Sequence, residues 1–89
     1  MLTVWVRRRA VDAGSCLSIS IGGTIVGSSC ASEADSDATS FCWAHVGAIP
    51  AVAGDTTLVI TLGGQGGAIH VDSLGLFVAG EEPSVGLCG

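Results

Sequence analysis

Hydrophobic residues in this chain recur at every second position, between clusters of glycine, and no segment sustains a helical i, i+3, i+4, i+7 stripe. That pattern predicts an all-β chain. Leu2, Val4 and Val6 fall on one side of a first strand, and Thr3, Trp5 and Arg7 fall on the other, as a half-buried strand requires. Leu17, Ile19 and Ile21 alternate with Ser18 and Ser20. Gly22 and Gly23 then turn the chain into Thr24, Ile25 and Val26, which predicts a hairpin because glycine reaches positive φ freely. Residues 31–40 are small, polar and acidic without apolar period and predict a loop. Leu58, Ile60 and Leu62 share one face of a further strand over Thr57 to Leu62, and Gly63 to Gly67 predict the turn after it. In the last long strand, Ala68 to Val78, Ile69 and Val71 hold one parity while Leu74, Leu76 and Val78 hold the other. Both sets face one core only if an extra residue is inserted, so a β-bulge is expected near Asp72. Residues 1–80 thus form one β domain, and 81–89, with Pro83 and two glycines, form an irregular arm that is held only if Cys88 is bridged.

Composition narrows the classes. Eighty-nine residues with 48% hydrophobic types suffice for one domain, not for two, and are too apolar for disorder. Charged residues make up 12%, against about a quarter in ordinary domains, and lysine is absent. A net charge of −5 with one basic run, Arg7-Arg8-Arg9, opposes a nucleic-acid backbone. That run is expected to be a charge cluster at the strand end. No apolar run approaches the ~20 residues of a membrane span.

Cys16, Cys30, Cys42 and Cys88 form an even set that suits disulfides made in an oxidising compartment, hence an extracellular or cell- or virion-surface location. The start of the chain lacks the basic front of a signal peptide, so secretion would depend on upstream sequence. Four cysteines allow three pairings. A three-residue hairpin loop would set Cys16 opposite Cys30, where a bridge would add roughly 3 kcal/mol; a two-residue loop would break that register.

Enzymatic and metal chemistry find little support. Cys42 with His45 is half of a zinc knuckle with no second half. Glu33, Asp35 and Asp37 open like a calcium loop, but Ala38 replaces the glycine such a loop needs, which favours a solvated acidic loop. Gly63 to Gly67 lack phosphate-cradle spacing. His70, Asp72 and Ser73 come without a nucleophile elbow or oxyanion motif. The chain is expected to be non-catalytic, with no metal and no cofactor.

Three segments, in order, resemble a known family. They are Thr3-Val4-Trp5-Val6-Arg7; Phe41-Cys42-Trp43 followed by Ala53-Gly54-Asp55-Thr56-Thr57-Leu58-Val59-Ile60; and Ile69-His70-Val71-Asp72-Ser73-Leu74-Gly75-Leu76. Over residues 2–79 they are similar to the carbohydrate-binding modules of the galactose-binding-domain-like jelly roll. The resemblance implies an antiparallel β-sandwich lacking the family's N-terminal strands, and with them its calcium-binding acidic pair. It implies that Phe41 and His70 occupy the sugar-stacking and sugar-hydrogen-bonding positions, and that Trp43 packs between sheets. Trp5 and Arg7, facing away from the core, are candidates to line a glycan groove or to pack on a neighbouring subunit. Asp72 is expected to accept backbone amides at its bulge.

Two functions follow. One is a non-catalytic carbohydrate-binding-type module. The other is a self-assembling structural subunit of an extracellular filament, sheath or capsid, a homo-oligomer or polymer joined through strand edges and apolar faces.

Overall fold

A computed structural model describes residues 1–32, 40–50 and 59–88. They form six strands: β1 (Leu2–Ala10), β2 (Cys16–Ile21), β3 (Thr24–Cys30), β4 (Cys42–Ile49), β5 (Ile60–Gln65) and β6 (Ile69–Val78). All six join one antiparallel sheet in the order β5-β2-β3-β4-β1-β6, curled into a half-barrel. The expected all-β class is observed. In place of two separate sheets the structure has one continuous ribbon, with β5 and β6 as its edges.

The curl has a local cause. Strands β3 and β4 pair only at Gly27 and Gly47, so within the sheet ladder this one residue pair links the β5-β2-β3 half to the β4-β1-β6 half. Each glycine follows a bulged valine. The β2–β3 register shifts between Ile19 and Ser20, leaving Val26 unpaired, and the β1–β4 register shifts between Val4 and Trp5, leaving Val46 unpaired. A bulge bends and twists its strand, and two of them at one contact fold the sheet over. A Cβ on Gly27 would overlap the carbonyl oxygen of Val46, and a Cβ on Gly47 would lie 2.5 Å from that of Val26. Only glycine lets the two backbones approach so closely.

Folding over brings β1 above β2, which are not hydrogen-bonded neighbours. Val4 and Val6 meet Leu17 and Ile19 in one core with Val46 and Ile49, and Leu2, Ile21, Val26, Ile60, Ile69, Leu74 and Leu76 pack around it. Val4, Val6 and Ile19 are fully buried. Each such side chain contributes about 1.5–3 kcal/mol by leaving water. The alternation predicted for β1 and β2 is observed as the inward and outward faces of those strands.

Four sequence expectations are corrected. The hairpin loop has two residues, Gly22 and Gly23, since Ile21 pairs with Thr24; the Val26 bulge supplies the extra residue that restores Cys16 opposite Cys30. That pair is a disulfide with Cα atoms 4.0 Å apart. Gly63, Gly64 and Gln65 do not turn but continue β5 along β2, and the turn is confined to residues 66–68, where Gly66 takes φ +95°. Arg8 is no surface charge. The parity of Val4 and Val6 carries it to the core side, where 7% of it is exposed. Trp43 is not in the core: Ala44 and Val46 take the inward positions of β4, so Trp43 faces outward, half-buried.

The expected bulge at Asp72 is present. Arg7 pairs with Ser73 and Arg8 with Val71, leaving Asp72 as the inserted residue. The second disulfide joins Cys42 to Cys88 and holds the C-terminal arm. The arm is irregular except at Leu87, which forms a parallel bridge with Trp43. The Trp43 amide donates to the Gly86 carbonyl at 2.7 Å, and the Cys88 amide donates to the Trp43 carbonyl at 2.8 Å. The acidic loop candidates Glu33, Asp35 and Asp37, and the start of the predicted strand at Thr57 and Leu58, lie outside the described residues.

Candidate functional site

The outward face of the β4-β1-β6 half brings aromatic, cationic and hydroxyl side chains together. Strand β1 sends Thr3, Trp5, Arg7 and Arg9 to this face, a row roughly 20 Å long at two residues per ~6.7 Å step. The neighbours follow from register: His45 of β4 lies across from Trp5, and Trp43 lies across from Arg7. On the other flank, Phe77 lies across from Thr3, Ser73 from Arg7, and His70 from Arg9.

Two clusters form along this row. At the Arg9 end, Arg7 Nη1 donates to Asp72 Oδ2 at 2.6 Å, and Ser73 Oγ donates to the same oxygen at 3.3 Å. The Arg7 guanidinium carbon also stands 5.5 Å from the centre of the Phe41 ring. The Arg7 and Asp72 side chains remain 40% and 46% exposed, so the pair is open to a ligand. The bulge produces this cluster: inserting Asp72 turns its carboxylate toward Arg7. Asp72 therefore accepts from a guanidinium and a hydroxyl, where backbone amides were expected.

At the Thr3 end, Trp5 Nε1 donates to Thr3 Oγ1 at 3.0 Å, and Thr3 Oγ1 donates to the Phe77 carbonyl at 3.3 Å. The Trp5 ring stands 5.2 Å from His45 with the planes at 59°, and Trp43 meets Phe77 edge-on at 5.8 Å. Gly75 makes room for this arrangement, because a Cβ there would lie 2.5 Å from the Phe77 ring.

The four sequence candidates are thus distributed over one face, not gathered at one point. Trp5, Arg7 and His70 stand outward on β1 and β6, and Phe41, one residue beyond the Arg8–Cys42 pair, reaches Arg7. Phe41 and His70 flank β1 on opposite sides, so about two strand spacings, close to 10 Å, separate their strands. One side of the Phe41 ring is taken by Arg7. His45, Arg9 and Phe77 belong to the face and were not among the sequence candidates. Their shared parity would have identified them once β4 was placed beside β1. The zinc half-motif is closed, because Cys42 is bonded to Cys88. Among the described residues no three His, Cys, Asp or Glu side chains cluster as metal ligands, and no helix is long and apolar enough to cross a membrane.

The face sets hydrogen-bond donors, acceptors and aromatic rings side by side. The Ser73 hydroxyl donates to Asp72, a carboxylate already held by Arg7, and no imidazole stands between them. No protein-family model, curated protein or solved structure matches the chain.

Proposed function

We propose that this chain is a non-catalytic carbohydrate-binding-type module, secreted with its two disulfides formed, that holds a glycan on the outward face of β4, β1 and β6. In this reading the curled ribbon is a β-sandwich of the galactose-binding-domain-like jelly-roll type, open where that family's N-terminal strands would close it. The observation that carries the proposal is the Arg7–Asp72–Ser73 cluster beside Phe41, exposed on the outward row of β1 with Trp5 next along it. Paired donors and acceptors suit vicinal sugar hydroxyls, and adjoining rings suit the apolar face of a pyranose. Retention of the disulfide-bonded chain on a panel of polysaccharide gels tests it. Delayed elution that is lost in Arg7→Ala supports the module, and elution at the void-free position on every gel removes it.

A second reading, a self-assembling extracellular subunit, is favoured by a different observation. Both sheet edges, β5 and β6, are unpaired among the described residues, and Leu62 and Val71 on the core side of those edges stay 43% and 39% exposed. Open edges with apolar flanks invite pairing with another copy. Light scattering on the eluting peak decides: a stable monomer excludes the assembly, and a polymer without sugar retention selects it.

A further inference from the structure

We infer that the glycan this face takes is anionic, a polysaccharide bearing carboxylate or sulfate groups. The inference rests on the carbohydrate-binding reading above and adds the class of sugar to it.

The chain has few cations, and the sheet sends most of them to one side. Three arginines and no lysine stand against eight Asp and Glu, and there are two histidines. Alternation along β1 turns Arg8 inward and leaves Arg7 and Arg9 outward. Register then adds His45, from β4 across from Trp5, and His70, from β6 across from Arg9. Two of the three arginines and both histidines therefore occupy one face of a chain whose net charge is −5.

The two outward arginines are in different states. Arg7 is neutralised by Asp72, the carboxylate inserted by the bulge. Arg9 has no ion pair among the described residues. Its guanidinium retains a planar fork of donors, the geometry that matches a carboxylate or sulfate ester. It stands two residues, roughly 7 Å, from Arg7 along the strand, with His70 beside it on β6 as a further donor. A neutral sugar needs only the mixed donors and acceptors of the Arg7–Asp72–Ser73 cluster. An unmatched guanidinium next to that cluster fits a sugar ring that also bears an acid group. The acidic remainder of the chain repels a polyanion, so contact is confined to this row.

Affinity electrophoresis of the full disulfide-bonded chain tests the inference, in gels holding polygalacturonate, dextran sulfate, neutral galactan or single-stranded DNA. Retardation by polygalacturonate or dextran sulfate above that by galactan is expected, and the stronger of the two identifies carboxylate or sulfate as the recognised group. Arg9→Gln is expected to weaken it about tenfold, while Arg9→Lys retains part of it; circular dichroism checks that both variants keep the β fold. Retardation unchanged in Arg9→Gln overturns the inference, as does DNA retarding the chain as strongly as the acidic polysaccharides. Retardation by galactan alone overturns the anionic class and leaves the carbohydrate-binding reading standing. No retardation by any of the three polysaccharides removes both.

Discussion

The two halves of the ribbon have similar inward faces and unlike outward ones. Inward, Leu17 and Ile19 of β2 meet Val4 and Val6 of β1. Outward, β2 and β5 present Ser18, Ser20, Thr61, Gly63 and Gln65, with neither a charge nor an aromatic ring. The outward face of β4-β1-β6 presents Trp5, Arg7, Arg9, Trp43, His45, His70, Asp72 and Phe77. Packing explains the shared side, since each half must bury its apolar positions against the other. It does not explain the difference. The outward side of the β5-β2-β3 half holds serine, threonine, glycine and Gln65 together with the exposed Ile25, without a ring or a charge, so a face of this ribbon can form without the rings and charges that the other half carries.

The halves also differ in how they are fastened. Cys16–Cys30 links neighbouring strands 14 residues apart, whereas Cys42–Cys88 spans 46 and ties the C-terminal arm to β4. If a bridge acts chiefly by restricting the unfolded chain, the longer loop gives the larger effect. Replacing Cys42 and Cys88 together by serine is expected to cost about 4 kcal/mol, against about 3 for the Cys16, Cys30 pair. Urea unfolding of the two double variants measures this. A larger loss from the short loop would mean that the hairpin register, not chain entropy, is what the bridges protect.

The corner between the halves gives the next effect. Gly27→Ala sets a methyl group against the Val46 carbonyl, and neither bulged backbone can retreat without unpairing β3 from β4. A loss of about 3 kcal/mol is expected. Gly63→Ala is the control. Its Cβ meets the Ser18 hydroxyl at 2.9 Å, a side-chain atom that can rotate away, so its cost should stay below about 1 kcal/mol. Equal midpoints in urea for the two variants would show that the Gly27–Gly47 contact does not hold the halves together.

Much of this was legible from period alone, where a strand carries its own evidence. The parity switch between Ile69, Val71 and Leu74, Leu76 is contained within one strand, and it located the bulge at Asp72. The same switch occurs between Val46 and Ile49, but a proline and small residues around it conceal the strand. The inward parity of Val4 and Val6 also predicts the burial of Arg8, which the surface reading of an arginine run overrode. What period cannot supply is the partner. Gly63 to Gln65 looked like a turn because glycine is punctuation in isolation, and only β2 beside them makes them strand. The cluster at Arg7 has the same origin: Phe41 and Asp72 are far apart in sequence and meet because β1 runs between β4 and β6.

The smallest effect on stability falls on the pair that matters most to the outward face. Arg7 and Asp72 are both nearly half exposed, and solvent screening limits such a pair to about 0.5 kcal/mol. Asp72→Asn removes the negative charge while keeping the residue that forms the bulge, so the fold should lose no more than that amount. Binding should move the other way. With its counter-charge gone, Arg7 joins Arg9 as a second unneutralised guanidinium, and retention by an acidic polysaccharide should rise severalfold at low salt and converge with the native chain as salt screens the added charge. A double-mutant cycle with Arg7→Gln separates the two roles. A coupling above about 2 kcal/mol in urea unfolding would make the pair a structural clamp. A small coupling together with stronger, salt-sensitive retention assigns it to the ligand, and with it the contrast between the two outward faces.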